Sequence, residues 1–477
     1  MQVGLEEQVA PLQERLPVVT RSVKGPFRRF KTSVLVLAYA VYFLLPWLPW
    51  SRADGPSQAV MFDLPGRRFL IFDLTVYPQD VVWLALLLFI AATLLFFVTG
   101  LVGRAFCGYF CFQTLWTDLF IWIEARLQGE RPARIRLYRQ PWGREKLLKT
   151  GGTHLVWLLV SFWTSLSFVL YFGHAPDLVV RFFTGQAAAA AYVTVAVLTL
   201  TTYVAAGFLR EQVCTHICPY GRFQSVMYDA ETLAVHYDAR RGEGRHGRAS
   251  ARAGLRTLEE RHAKGHGDCI DCGLCVQVCP AGIDIREGLQ YKCISCGLCI
   301  DACNGIMASM DYPRGLIRYD SEANLARAVP EKPRLHWKRL KIVGYGVSLL
   351  AMSAYLVYSI GSRTTFEGTV TQVRQPLFVV LSNGDIRNRY QIRLTNKEHQ
   401  PERFALSAQG LPAAALDLGG FQEVSVKPGH SVVVQASIIL PPDQAARTTE
   451  VRFVITPTSR PQEARVEKAG FHYQRPS

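Results

Sequence analysis

Eight of the chain's 12 cysteines fall in two short runs, CIDCGLCVQVCP and CISCGLCIDAC. The first supplies Cys269, Cys272, Cys275 and Cys279; the second supplies Cys293, Cys296, Cys299 and Cys303, so C-x2-C-x2-C-x3-C recurs 24 residues later at every position. Three thiolates two residues apart can wrap one face of an iron–sulfur cubane if the backbone turns tightly, and Gly273 and Gly297 stand at that turn. The fourth cysteine of each run begins a helical turn pointing away, which gives it to the other cluster. The expected ligand sets are Cys269, Cys272, Cys275 and Cys303 for one 4Fe–4S cluster, and Cys293, Cys296, Cys299 and Cys279 for the second. Pro280 after Cys279 follows the bacterial ferredoxin pattern, whereas Asn304 after Cys303 departs from it. Structural zinc uses two separated pairs rather than four cysteines packed into eleven residues twice, so it fits less well. Two neighbouring clusters move single electrons and do no group transfer by themselves.

The other four cysteines form two C-x3-C pairs, Cys107 with Cys111 in FCGYFC and Cys214 with Cys218 in CTHICPYG. Each pair follows a long apolar run and precedes FQT or FQS, which reads as an internal duplication of a hairpin plus a thiol pair. On a continuing helix, positions i and i+4 share a face, so each pair would present both sulfurs in one direction. The plain alternative is that they fill helix ends as small apolar residues. Arg104 and Arg210 stand beside them and would favour thiolate. Soft thiolates suit Cu(I), a further iron–sulfur centre, or a dithiol that cycles with a disulfide, and the spacing does not choose among these. His216, inside CTHIC, could add an imidazole, though a lone histidine is more often a surface side chain.

These residues need elements to hold them. Five apolar runs, at about 32–50, 80–102, 153–173, 187–209 and 340–361, approach the roughly 20 residues that cross a bilayer. None has Asp or Glu in its interior, which argues against an ion-pumping pathway. The net charge of +15 is carried by arginines and lysines near the span ends. Their distribution places the tail 1–31, the loop 104–151 and the segment 210–338 in the cytoplasm, with 362–477 outside. FRRFKTSVLVL looks somewhat like a twin-arginine export signal, but the run is longer than a signal core and lacks a cleavage site. All 12 cysteines lie in the segments assigned to the reducing side, which favours metal or redox chemistry over crosslinks.

The expected fold is a transmembrane α-helical bundle, with four spans in 32–209 arranged as two hairpins and a fifth at 340–361. An α+β ferredoxin-like domain with two clusters occupies about 260–320, and 362–477 forms an all-β immunoglobulin-like sandwich. The last assignment rests on alternating runs such as RYQIRLTN and EVRFVITP separated by SNGD and KPGH. Its role would be docking a partner outside the membrane. Residues 238–266 are rich in Arg and Gly but lack aromatic interleaving, so a solvated linker drawn to anionic lipid is expected there rather than a nucleic-acid site.

The stretches GRAFCGYFCFQTLWTD, CTHICPYGRFQSVMYD and PRGLIRY, together with the tandem cysteine runs, resemble the cytochrome c oxidase accessory protein family known as FixG, RdxA or CcoG. The resemblance spans nearly the whole chain. It implies a bacterial inner-membrane protein that assists assembly of cbb3-type cytochrome c oxidase by reducing Cu(II) to Cu(I). It carries cluster binding onto the eight cysteines named above and copper handling onto Cys107, Cys111, Cys214 and Cys218. The implied partners are the oxidase subunits or their assembly factors, an unnamed electron donor, and a possible second copy of the chain. Two other readings are a quinol-linked conduit for a respiratory reductase and a scaffold whose clusters only sense redox state.

Overall fold

A backbone inside lipid has no water to bond, so long apolar runs become helices. The computed structural model describes residues 18–51, 56–250, 254–255, 257–327, 329, 331–398, 400–420 and 423–473. Among them, five helices are long and apolar enough to cross a bilayer: Pro26–Trp47, Val81–Val102, Arg144–Leu170, Ala189–Leu209 and Leu340–Gly361. The chain divides into two compact units, one reaching Leu356 and the other beginning at Val357.

In the first unit, an amphipathic helix, Phe112–Leu127, follows the second span. Its buried face carries Leu115, Trp116, Phe120 and Ile123, which pack with Trp157 of the third span and Ala206 at the end of the fourth. Phe120 stacks on Trp157 with ring centroids 5.0 Å apart. The same helix buries Asp118, which pairs with Arg28 at 2.9 Å and with the fully buried Lys31 at 3.4 Å, tying the first span to this core. A three-stranded antiparallel meander, Val60–Asp63, Arg68–Ile71 and Leu74–Val76, connects the first two spans.

The cysteine-rich insert is bracketed by Ala234–Tyr237 pairing antiparallel with Ile317–Asp320. Between them, Leu274–Gln277 and Leu298–Ser309 each begin right after a left-handed glycine, Gly273 at φ +64° and Gly297 at φ +73°. A side chain would be strained there, and at Gly297 it would also strike the Phe27 ring. The insert docks on the membrane part by capping a helix. Asp301 accepts from the backbone N–H groups of Phe27 (3.3 Å) and Arg28 (2.7 Å), satisfying donors that the first turn of the first span leaves free.

The Arg- and Gly-rich stretch expected to be a solvated linker is instead largely folded onto the insert. Helices Ala239–Glu243 and Leu258–Ala263 flank a bridge between Gly244 and His266. Arg261 is fully buried and donates to the carbonyls of Gly267, Ala249 and Cys269 at 2.7–3.0 Å. An arginine is rarely interior unless its donors are filled, and here backbone carbonyls take Nε and Nη2.

The second unit is a sandwich of antiparallel strands. One sheet runs Leu416–Asp417, Ser431–Leu440, Ile386–Asn396, Phe366–Gln372, with Val379–Val380 also paired to Ile386–Asn396; the other runs Glu423–Val426, Glu402–Gln409, Glu450–Pro457, Arg465–Gly470. Along Ile386–Asn396, Ile386, Tyr390, Ile392 and Leu394 are buried while Arg389, Gln391 and Arg393 face outward, the period of two that a half-buried strand requires. Phe453 is fully buried edge-on to Tyr390, centroids 4.9 Å apart. Phe453→Ala is expected to cost about 3–5 kcal/mol in this unit, whereas Val466→Ala on the half-exposed edge costs under about 0.5 kcal/mol. Proteolytic protection of the C-terminal unit in denaturant measures both.

Candidate metal centres

The eight tandem cysteines surround two neighbouring cavities. One is lined by Cys269, Cys272, Cys275 and Cys303, with Tyr237 and Ile317 completing its wall. The other is lined by Cys279, Cys293, Cys296 and Cys299, with Cys275 at the shared edge. The crossing of the fourth cysteines has a local cause: helices start at the two left-handed glycines, and Cys279, just after the first helix, and Cys303, within the second, are carried away from their own loops. Each cavity thus presents four soft donors in a mostly apolar wall, with Arg286 and Tyr237 as the polar side chains of the first. This donor set suits an iron–sulfur cubane. Cys272 is exposed, whereas Cys293 and Cys296 are buried, so the first cavity lies nearer the surface.

The two C-x3-C pairs are not on continuing helices, contrary to expectation. The second span stops at Gly103 (φ +58°), followed by a short helix, Ala105–Tyr109, and Cys111 then caps the start of Phe112–Leu127. The fourth span stops at Arg210 (φ +40°), followed by a π-turn, Val213–Ile217, and Cys218 caps the start of Pro219–Met227. Each pair therefore occupies a broken helix end, with its second sulfur at a new helix N-terminus. The two ends meet. The Cys107 thiol lies within electrostatic reach of Cys111 and Cys214, and Cys214 within reach of Cys111 and Cys218. Among the described residues, no three His, Cys, Asp or Glu side chains close to single-ion distance. His216 is exposed on the π-turn.

A reciprocal brace brings the ends together. Gln113, two residues after Cys111, donates to the carbonyls of Ala205 (2.8 Å) and Arg210 (3.2 Å) at the other break. Gln224, six residues after Cys218, accepts from Arg104 Nε at 2.6 Å and lies 3.4 Å from Cys107 Sγ. These glutamines are the Q of the repeated FQT and FQS, the one sequence sign of a contact that spacing alone did not reveal. Buried Arg104 also donates to the carbonyls of Gly221 (2.5 Å) and Tyr291, joining both breaks to the insert two residues before Cys293. Gly108 lies against Ile294 and Cys296, and Tyr109 donates to the Cys296 carbonyl at 2.8 Å. The four thiols therefore adjoin the second cavity rather than the first.

Arg104 and Arg210 act differently from the thiolate-stabilising role expected of them. Burial pushes the Cys107 thiol up to about 12, with Arg104 only partly opposing it. Burial, joined by Cys111 and Cys218, pushes Cys214 up to about 11. Arg210 is engaged elsewhere, pairing with Glu124 at 2.5 Å while Glu124 also holds Arg134 at 2.9 Å. Burial likewise raises Cys275 and Cys293 to about 11, and Cys279 and Cys303 to about 12. Thiols buried in this way keep their protons at neutral pH until a metal displaces them.

A helical membrane unit, a tandem four-cysteine insert and a β-sandwich define a membrane-bound iron–sulfur protein of ferredoxin type. The family of 4Fe–4S dicluster domains matches residues 209–322, a second family of 4Fe–4S binding domains matches 84–129, and the immunoglobulin-like fold at the C-terminus of FixG matches 356–474. The chain belongs to the FixG/RdxA family. It is 40% identical to Protein RdxA of Cereibacter sphaeroides over 83% of each chain, and 40% identical to Protein RdxB of the same organism over 91% of this chain and 92% of that one. Nitrogen fixation protein FixG of Rhizobium meliloti is 36% identical over 97% of this chain and 94% of its own.

The close approach at Gly108 gives a test of this packing. A methyl there would sit 2.6 Å from the Ile294 carbonyl oxygen and 3.0 Å from the Cys296 Cα, both backbone atoms, while at Gly305 it meets nothing within 4 Å. Gly108→Ala is expected to destabilise the first unit by about 1–3 kcal/mol, whereas Gly305→Ala, mid-helix, stabilises it by up to about 1 kcal/mol. Thermal unfolding of the detergent-solubilised chain separates the two signs.

Proposed function

We propose that this chain delivers single electrons to copper, reducing Cu(II) to Cu(I) in support of cbb3-type cytochrome c oxidase assembly. In this reading Cys269, Cys272, Cys275 and Cys303 hold one 4Fe–4S cluster, and Cys279, Cys293, Cys296 and Cys299 hold the other. When bound, the clusters supply one-electron transfer. Cys107, Cys111, Cys214 and Cys218 take the copper substrate. Cu(II) favours tetragonal nitrogen and oxygen ligands while Cu(I) accepts thiolates, so uptake of one electron where these thiols are offered leaves the reduced ion in the coordination it prefers. Burial of Cys107 and Cys214 holds the protons of these two thiols until the metal arrives.

The observation that carries this reading is the position of the thiol quartet, braced by Gln113, Gln224 and Arg104 and packed through Gly108 and Tyr109 onto the loop that bears Cys293 and Cys296. A second reading has one specific support. The 4Fe–4S binding family matched at 84–129 covers a segment whose only cysteines are Cys107 and Cys111, which favours a further iron–sulfur centre in the quartet.

Iron analysis and paramagnetic resonance on anaerobic protein test both. In the variant carrying serine at Cys107, Cys111, Cys214 and Cys218, iron content is expected to equal that of the wild type, while loss of the Cu(II) signal on adding Cu(II) to the reduced protein is abolished. Undiminished Cu(II) reduction would refute the copper reading, and a drop in iron by about a third (one cluster in three) would favour the second.

A further inference from the structure

Beside the first cysteine cavity lies an open groove of about 900 Å³, lined by the helices Ala239–Glu243 and Leu258–Ala263 and by the turn 264–268. Its wall carries Arg240, Arg241, Arg245 and Lys264 against a single carboxylate, Asp268. Asp268 is already occupied, paired with Arg241 and 2.9 Å from His262. Arg240, Arg245 and Lys264 are exposed, so the groove wall presents net positive charge to solvent, while the exposed Glu259 and Glu260 of the same helix do not line it. The nearby Glu243 faces Arg248 and Tyr237 rather than this field.

The groove is fixed to the cavity. Asp268 immediately precedes Cys269, whose backbone N–H donates to Gly242. Arg261 bonds the Gly267 and Cys269 carbonyls from within. Cys272, exposed on the same cavity, brings that ligand to the surface. The groove thus combines positive charge with a direct chain and hydrogen-bond link to Cys269, the first cysteine of the tandem repeat.

We infer that this groove is where electrons enter: it docks an acidic one-electron carrier protein of the ferredoxin or flavodoxin type beside the Cys269, Cys272, Cys275 and Cys303 site. This rests on the cluster assignment proposed above. The step balances as written, with the reduced carrier losing one electron, the cluster at that site gaining it, and no bond made or broken. A dinucleotide would fit the charge equally well, but it gives up a hydride, and no flavin to split the electron pair is part of this reading. An anionic lipid surface would also answer the charge, yet it needs neither a walled groove nor proximity to Cys269.

The test uses full-length protein in detergent and a small acidic ferredoxin as probe. Binding of the oxidised probe is measured by surface plasmon resonance, and cluster reduction by the photoreduced probe is followed by visible absorption. Arg245→Glu with Lys264→Glu is expected to weaken binding by about tenfold or more and to slow reduction in step. Wild-type binding is expected to weaken as ionic strength rises and the Debye length falls from about 30 to about 8 Å. Dithionite, too small to need the groove, reduces wild type and variant alike. Equal affinity of the two proteins, or no binding by the wild type, overturns the inference. So does a variant that loses binding to phosphatidylglycerol vesicles while keeping its affinity for the probe, which assigns the groove to lipid. The binding measurement needs no reducible cluster, so a chain that dithionite does not bleach counts against the cluster assignment and leaves the docking test standing.

Discussion

The arrangement of thiols follows from how two apolar helices stop. A helix end leaves carbonyls without partners, and near lipid there is little water to take them. The second and fourth spans both break sharply, at Gly103 and Arg210, and a glutamine from each repeat reaches across to the break of the other. Gln113 takes the carbonyls of Ala205 and Arg210, while Gln224 takes the Arg104 guanidinium beside Gly103. The carbonyls of Gly100 and Leu101 at that break are filled by Thr232, Arg339 and Leu233. Because Cys107 and Cys214 lie within four residues of these breaks, closing the brace brings the sulfurs together. Arg210 is held in a φ region that side chains rarely adopt, at a cost of order 1–3 kcal/mol, and its pairing with Glu124 and its position over the Trp157 ring, 5.7 Å from the centroid, offset that.

The same economy of partners docks the insert. Asp301 belongs to the helix that carries Cys299 and Cys303, yet its carboxylate caps the first membrane span. Tyr109 and Arg104 belong to the broken end of the second span, yet they bond the carbonyls of Cys296 and Tyr291. With a glycine at position 108 the two backbones approach to a distance that no larger residue allows. The membrane unit and the insert are thus one hydrogen-bonded body, which a route for electrons between their cysteines requires.

Much of this was legible in the sequence because its causes are local. Spans show as unbroken apolar runs, the sandwich as period-two alternation with turn signals, and the cubane loops as glycines between cysteines. The membrane spans, ferredoxin character and sandwich were read that way. What escaped depends on groups about a hundred residues apart. The brace left only the repeated FQT and FQS as a trace, and a helix break at an arginine leaves no local sign at all. The expected effect of Arg104 on its thiols had the right direction but the wrong outcome, since sequence does not reveal how deeply a thiol is buried. Residues 238–266 look like a linker by composition, yet the described residues among them are held to the insert by buried Arg261, by Arg241 on Asp268 and by the Gly244–His266 bridge.

The central claim is that two cysteine pairs, far apart in sequence, make one site. Anaerobic Cu(I) titration of two double variants, serine at Cys107 and Cys111 in one and at Cys214 and Cys218 in the other, measures it most directly. If the pairs share one site, either variant loses the tight binding altogether. If each variant keeps half the wild-type stoichiometry, the pairs bind independently and the claim is wrong.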